Sequence, residues 1–174
     1  MPASPHEYRG RLTTAEDARR YALGDFSRAS ARWTSKTITL MSAKSGRSFT
    51  YLIARPPGDG TDRPWIIKIL TGPNNRTDYV YLGLIRPVVA DALATDRLPT
   101  TVLQHTAKSG LPTTAPGWRA FAYFHRYALR DAGGTLPVPL GVWQEGSCGV
   151  CGQRLSRVES IARGVGPKCA ARHG

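Results

Sequence analysis

Apolar residues recur along this chain with two different periods, and the change of period divides it. Ala15, Ala18, Tyr21 and Ala22 repeat at helical spacing until Gly24, and Thr13 with Glu16 three residues on has the spacing of a capping box. A short helix is expected over residues 14–23. From Trp33 to Arg86 the period becomes two. Thr37–Met41 and Phe49–Ile53 read as strands joined by the tight turn Lys44-Ser45-Gly46-Arg47. Trp65–Leu70 and Tyr79–Ile85 read as two more, separated by Gly72-Pro73-Asn74-Asn75. Four β-rich runs at short spacing predict an antiparallel meander with one face covered by a helix.

Residues 87–114 mix Pro87, Pro99 and Pro112 with short apolar patches, which leaves a partial helix over 88–95 and otherwise loop. Thr114 and Pro116 then open a longer helix, with Trp118, Phe121, Ala122, His125 and Leu129 on one stripe. Arg119, Arg126 and Arg130 lie beside that stripe, and Gly133-Gly134 ends the pattern. Trp118 and Phe121 are the expected core anchors. Leu136-Pro137-Val138-Pro139-Leu140 reads as a stiff connector. The fold class is therefore α+β: a four-stranded antiparallel sheet covered by a helix, with a small C-terminal module. Residues 1–11 form a basic arm, 12–140 the body and 141–174 the module.

Composition sharpens this picture in two ways. A chain of 174 residues, 41% of them hydrophobic, can bury one modest core and an appendage. It contains no run of 18 or more apolar residues and no signal-like N-terminus, so a soluble, cytoplasmic protein of a reducing compartment is expected. Lysine and arginine outnumber acids 24 to 12, and the formal charge of +12 favours a polyanionic partner. Arg19, Arg20, Arg28 and Arg32, on or just after the first helix, offer one basic face.

All three cysteines fall near the C-terminus: Cys148 and Cys151 as a C-x-x-C pair, then Cys169, with His173 four residues later. A C-x-x-C pair makes a knuckle whose two thiolates face one ion, and residues i and i+4 share a helical face. The spacing predicts a structural zinc site on Cys148, Cys151, Cys169 and His173. His125, His105 or a water are the alternatives for the fourth position, and a water there would make the zinc catalytic. Ser156 and Glu159 repeat the capping-box spacing, so a short helix is expected over 157–163, and Gly166-Pro167 turns the chain back toward the knuckle. So small a unit cannot build an adequate core, and structural zinc in such units contributes about 10–16 kcal/mol of apparent folding free energy. Arg154, Arg157, Arg163, Lys168 and Arg172 surround these ligands, opposed only by Glu159.

Residues 143–169 resemble the C-terminal zinc-binding module of a family of bacteriophage and prophage proteins, with the pattern C-x-x-C-G-[RK]-x-L-[TS]-x-P-E-S-x-x-x-G-[IV]-G-P-x-C. Gly46–Tyr51, Leu70–Asn75, Asp78–Gly83 and Ala115-Pro116 also resemble longer members, so the likeness runs over about residues 26–169. Two positions depart from it. Gln153 replaces a basic residue after the knuckle glycine, and Val158 replaces the proline before Glu159-Ser160. The resemblance implies a treble-clef-like zinc module and a phage or mobile-element origin, and no particular activity.

Binding rather than catalysis is the expected function. The first reading is a nucleic-acid binder in which zinc holds a rigid basic module against phosphates, without a base-reading helix. The second is a protein-binding module that docks on a host defence or replication protein through aromatic anchors such as Trp33, Trp65 or Tyr79. Trp143, beside the knuckle, is expected to pack against the metal core or to stack on an unpaired base. The deaminase, P-loop, H-E-x-x-H and G-x-S-x-G signatures are all missing from the sequence. An acid–base pair of Asp78 with His105 or His125 is the remaining catalytic option.

Overall fold

A computed structural model describes residues 11–24, 31–58, 63–73, 77–88, 100–131, 133–144 and 166–173. The expected α+β class holds, but the sheet has six strands rather than four. They are β1 (Thr34–Ser42), β2 (Ser48–Arg55), β3 (Trp65–Leu70), β4 (Tyr79–Pro87), β5 (Thr101–Gln104) and β6 (Leu140–Gln144). The order is β5-β4-β3-β2-β1-β6, and every neighbouring pair is antiparallel. The four strands read from the sequence form the central meander. The two missed strands flank it, and both are short segments whose pattern is too brief to show a period of two.

The hairpin between β1 and β2 closes through Ser42 N–H to Arg47 O at 2.9 Å and Gly46 N–H to Ser42 O at 2.8 Å. Gly46 sits at φ 69°, a conformation that penalises any residue with a Cβ. Alternation along β1 puts Ile38 and Leu40 on the face toward the helices, continued by Tyr51, Ile53, Ile67 and Ile69 on the next two strands; all six are buried. On the opposite face Thr39 and Thr50, paired in register, share a hydrogen bond of 2.8 Å with both side chains buried. Leu140–Gln144, expected as connector and module start, is the edge strand beside β1, and Trp143 pairs with Thr39.

Helix α1 (Ala15–Leu23) is capped by Thr14, whose hydroxyl accepts from Asp17 N–H at 3.1 Å; the capping residue is one position later than the expected Thr13. Its buried face of Ala15, Ala18, Ala22 and Leu23 packs on the end of the second helical segment. That segment starts as α2 (Pro116–Phe124), with proline in its first turn, and passes into a single π turn over His125–Leu129. Trp118 and Phe121 are buried as expected, and Tyr51 donates to Gly117 O at 2.7 Å, tying the sheet to the helix start. A last helix, α3, spans Pro167–His173. The expected helices over 88–95 and 157–163 fall essentially on residues outside those described.

Candidate nucleic-acid interface

Of Cys148, Cys151, Cys169 and His173, only the last two fall within the described residues, both on the C-terminal helix. Proline opens α3 at its first position, and Cys169 and His173 stand four residues apart on it. Cys169 is half-buried, whereas Lys168 and Arg172 are exposed. Among the described residues no three His, Cys, Asp or Glu side chains cluster. Cys148, Cys151, Arg154, Arg157 and Arg163 lie outside them. The donor set, three thiolates and an imidazole, suits a closed tetrahedral zinc, in which the ion would cross-link the segment rather than activate a substrate.

Both alternative histidine ligands have other partners. His125 is buried, and its Nε2 lies 2.9 Å from Thr101 Oγ1, which in turn donates to Leu129 O at 2.7 Å. A hydroxyl has one proton, and Thr101 gives its own to Leu129 O, so it accepts from His125 and Nε2 carries a proton. Burial, assisted by Arg130 and opposed by Asp131, pushes His125 down to about 4. His105 sits edge-on to Trp118, with ring centroids 4.9 Å apart, and its Nε2 lies 2.8 Å from Leu111 O. Asp78 is held elsewhere, with its Oδ1 accepting from Thr77 and its backbone oxygen from Thr71 N–H.

The aromatic anchors also sort differently from expectation. Trp65 is buried at 2% exposure, donates from Nε1 to Leu23 O at 3.2 Å and carries the Arg55 guanidinium 4.4 Å from its ring centroid. Trp143 is likewise buried, with the Arg11 guanidinium over its ring at 5.1 Å, so its face is not open to a base. Tyr79 is half-buried, and Trp33 alone of the three expected anchors is well exposed, at 60%.

What the sequence reading did not assign is a cleft between the β1–β2 turn and α2. It has a volume of about 790 Å³ and is bordered by Lys44 and Arg47 from the turn, by Arg119, Tyr123 and Arg126 from the helix, and by Phe49. Arg119, Tyr123 and Arg126 follow i, i+4, i+7 spacing, opposite the buried Trp118, Phe121 and Phe124, so one amphipathic helix builds both core and cleft wall. Arg47 lies 5.8 Å from the Phe49 ring centroid; Tyr123 pairs with Tyr127 at 4.8 Å, and Arg126 lies over Tyr127 at 5.7 Å. All four cations are exposed, and none forms an ion pair with a described residue. Arg20, by contrast, is paired with Glu16 at 2.8 Å, and Arg130 with Asp131 at 3.2 Å.

A signal for this cleft exists in the sequence. Residues 26–58 contain no Asp or Glu and neither do residues 97–130, and the fold brings these two acid-free runs face to face.

Residues 141–174 match the sequence profile of a family of unknown function, DUF6011. The matched stretch starts inside β6 and takes in the three cysteines and α3, the same part of the chain that carries the C-terminal motif. No curated protein and no solved structure matches the chain.

Proposed function

We propose that this protein is a non-enzymatic nucleic-acid binder that holds the phosphate backbone through exposed, uncompensated cations, with a zinc-stabilised C-terminal module adding a second basic surface. The observation that carries this reading is the cleft between the β1–β2 turn and α2, where Lys44, Arg47, Arg119 and Arg126 converge with no carboxylate among the described lining residues. An ion-paired surface arginine is largely neutralised, whereas four unpaired cations in a concave setting focus a positive field outward. Such contacts position a backbone rather than read its sequence.

The chain leaves β6 at Gln144, opposite Ile38 and two residues along β1 from Lys36, so the module continues directly from the edge of the sheet. Lys168 and Arg172 on α3, with Arg154, Arg157 and Arg163, would extend the phosphate contacts, and Cys148, Cys151, Cys169 and His173 would hold the zinc. A bacteriophage or mobile-element origin suits such a small basic protein working inside a bacterial host.

Fluorescence anisotropy with single- and double-stranded DNA and RNA at two salt concentrations tests the reading. Binding that weakens steeply with salt is expected, with a log–log slope of about −0.9 per phosphate contacted on duplex DNA and about −0.7 on single strands. Negligible binding at low salt to all four would overturn it.

A further inference from the structure

A second basic cleft lies at the far end of β1, and it differs from the first in having an indole at its rim. It has a volume of about 610 Å³ and is lined by Arg32, Trp33, Lys36, Arg55, Arg63 and Trp65 together with the end of α1. No carboxylate is among its described lining residues. Trp65 and Ile53 form an apolar floor; Arg55 and Arg63 are buried, and Arg63 Nη1 donates to Pro56 O at 2.7 Å. Lys36 Nζ sits 5.0 Å from the Tyr21 ring centroid. Fixed guanidinium groups therefore line the inside while Trp33 stands open above them.

Trp33 is anomalous for its residue type. The other three of the four tryptophans, Trp65, Trp118 and Trp143, are 2%, 8% and 6% exposed, while Trp33 is 60% exposed and flanked by the exposed Arg32 and Thr34. A large indole left in water beside a cationic concavity of nucleotide dimensions matches the two elements by which unpaired nucleic acid is held, a flat stacking surface and a phosphate-binding groove. A base paired within a duplex has both faces occupied and cannot use such a surface.

We propose that this cleft is a stacking site for an unpaired nucleotide, with Trp33 as the platform and Lys36, Arg55 and Arg63 facing the adjoining phosphate. This proposal rests on the nucleic-acid reading above and adds to it a preference for single strands.

Intrinsic tryptophan emission tests it directly, because Trp33 is the indole that a ligand reaches. Titration with a short single-stranded oligonucleotide is expected to quench part of the emission, and the matching duplex to leave it unchanged. In Trp33→Ala the quench disappears and single-strand affinity falls about 5- to 150-fold, the effect of removing one stacked base, while duplex affinity is retained. Trp33→Phe recovers part of the affinity. Single-strand binding that is equally tight in Trp33→Ala, yet weakened in Arg119→Glu/Arg126→Glu, would overturn the stacking site and leave the phosphate-binding reading standing. Wild-type protein that binds neither oligonucleotide would remove both.

Discussion

His125 donates its Nε2 proton to the Thr101 hydroxyl across 2.9 Å, and through that bond the π turn after α2 grips the edge strand β5. Thr101 completes the clasp with its own hydroxyl proton on Leu129 O at 2.7 Å and its amide on Arg130 O at 2.7 Å. The carbonyls left over at the end of a helical segment need partners, and here a strand supplies them.

That clasp carries a pH dependence. The folded protein depresses His125 from 6.5 to about 4, so the unfolded chain takes up the proton first. The stabilising contribution of the neutral imidazole is complete above pH 6.5 and is lost as the pH falls through 6.5 toward 4. Urea unfolding should show a loss of about 2–3 kcal/mol from this group between pH 7 and pH 4.5. His125→Gln, which keeps a donor near Thr101, should show a correspondingly weaker decline; equal declines in the two proteins would mean that His125 titrates alike in the folded and unfolded chain.

Gly83 is expected to tolerate no side chain. A Cβ there would approach Gln104 O to 2.6 Å and the Trp118 ring to 3.0 Å, and the first of these is backbone that cannot move aside without distorting the β4–β5 ladder. Gly83→Ala should therefore destabilise by about 1–3 kcal/mol in chemical denaturation. Tyr51→Phe removes the donor to Gly117 O, one tie between the sheet and the helix start, and should destabilise by about 1 kcal/mol.

Elemental analysis of the purified protein should find one zinc per chain. Cys151→Ser should lower this to a small fraction while the body, whose core is built from α1, α2 and the sheet, still unfolds cooperatively. Full zinc occupancy in the variant would remove Cys151 from the ligand set.

Charge reversal at Arg119 and Arg126 should reduce both the affinity for nucleic acid and the steepness of its salt dependence, by about 0.9 in slope for each duplex phosphate that the variant no longer holds. Zinc content should be unchanged. If only Arg154→Glu/Arg157→Glu/Arg163→Glu weakens binding, the phosphate-binding surface belongs to the module and not to the cleft.

The β1–β2 hairpin was legible because alternation, a turn glycine and two strands of eight or nine residues all agree. β5 was not, because Thr101–Gln104 has four residues and its partner Ile85 lies in β4, beyond an intervening stretch with no period. β6 was hidden by Pro137 and Pro139, which read as a connector, although proline before an edge strand is compatible with pairing. Trp65 and Trp33 both stand at the start of a β-rich run, with an arginine one or two residues before. Only the tertiary fold buries one under α1 and leaves the other open.

By itself the sequence determined the properties that depend on local spacing and on summed charge: the helix and strand periods, the glycine turn, the cysteine and histidine pattern, and the excess of cations. These are one-dimensional quantities, and neighbours a few residues apart suffice to set them. The tertiary structure decided what depends on distant segments meeting. It added two flanking strands, turned His125 into a buried neutral clasp, and placed Lys44 and Arg47 opposite Arg119 and Arg126 across more than 70 residues of chain. Charge in a sequence has sign and number but no direction; direction arises when packing buries one side of each element and leaves the other facing water.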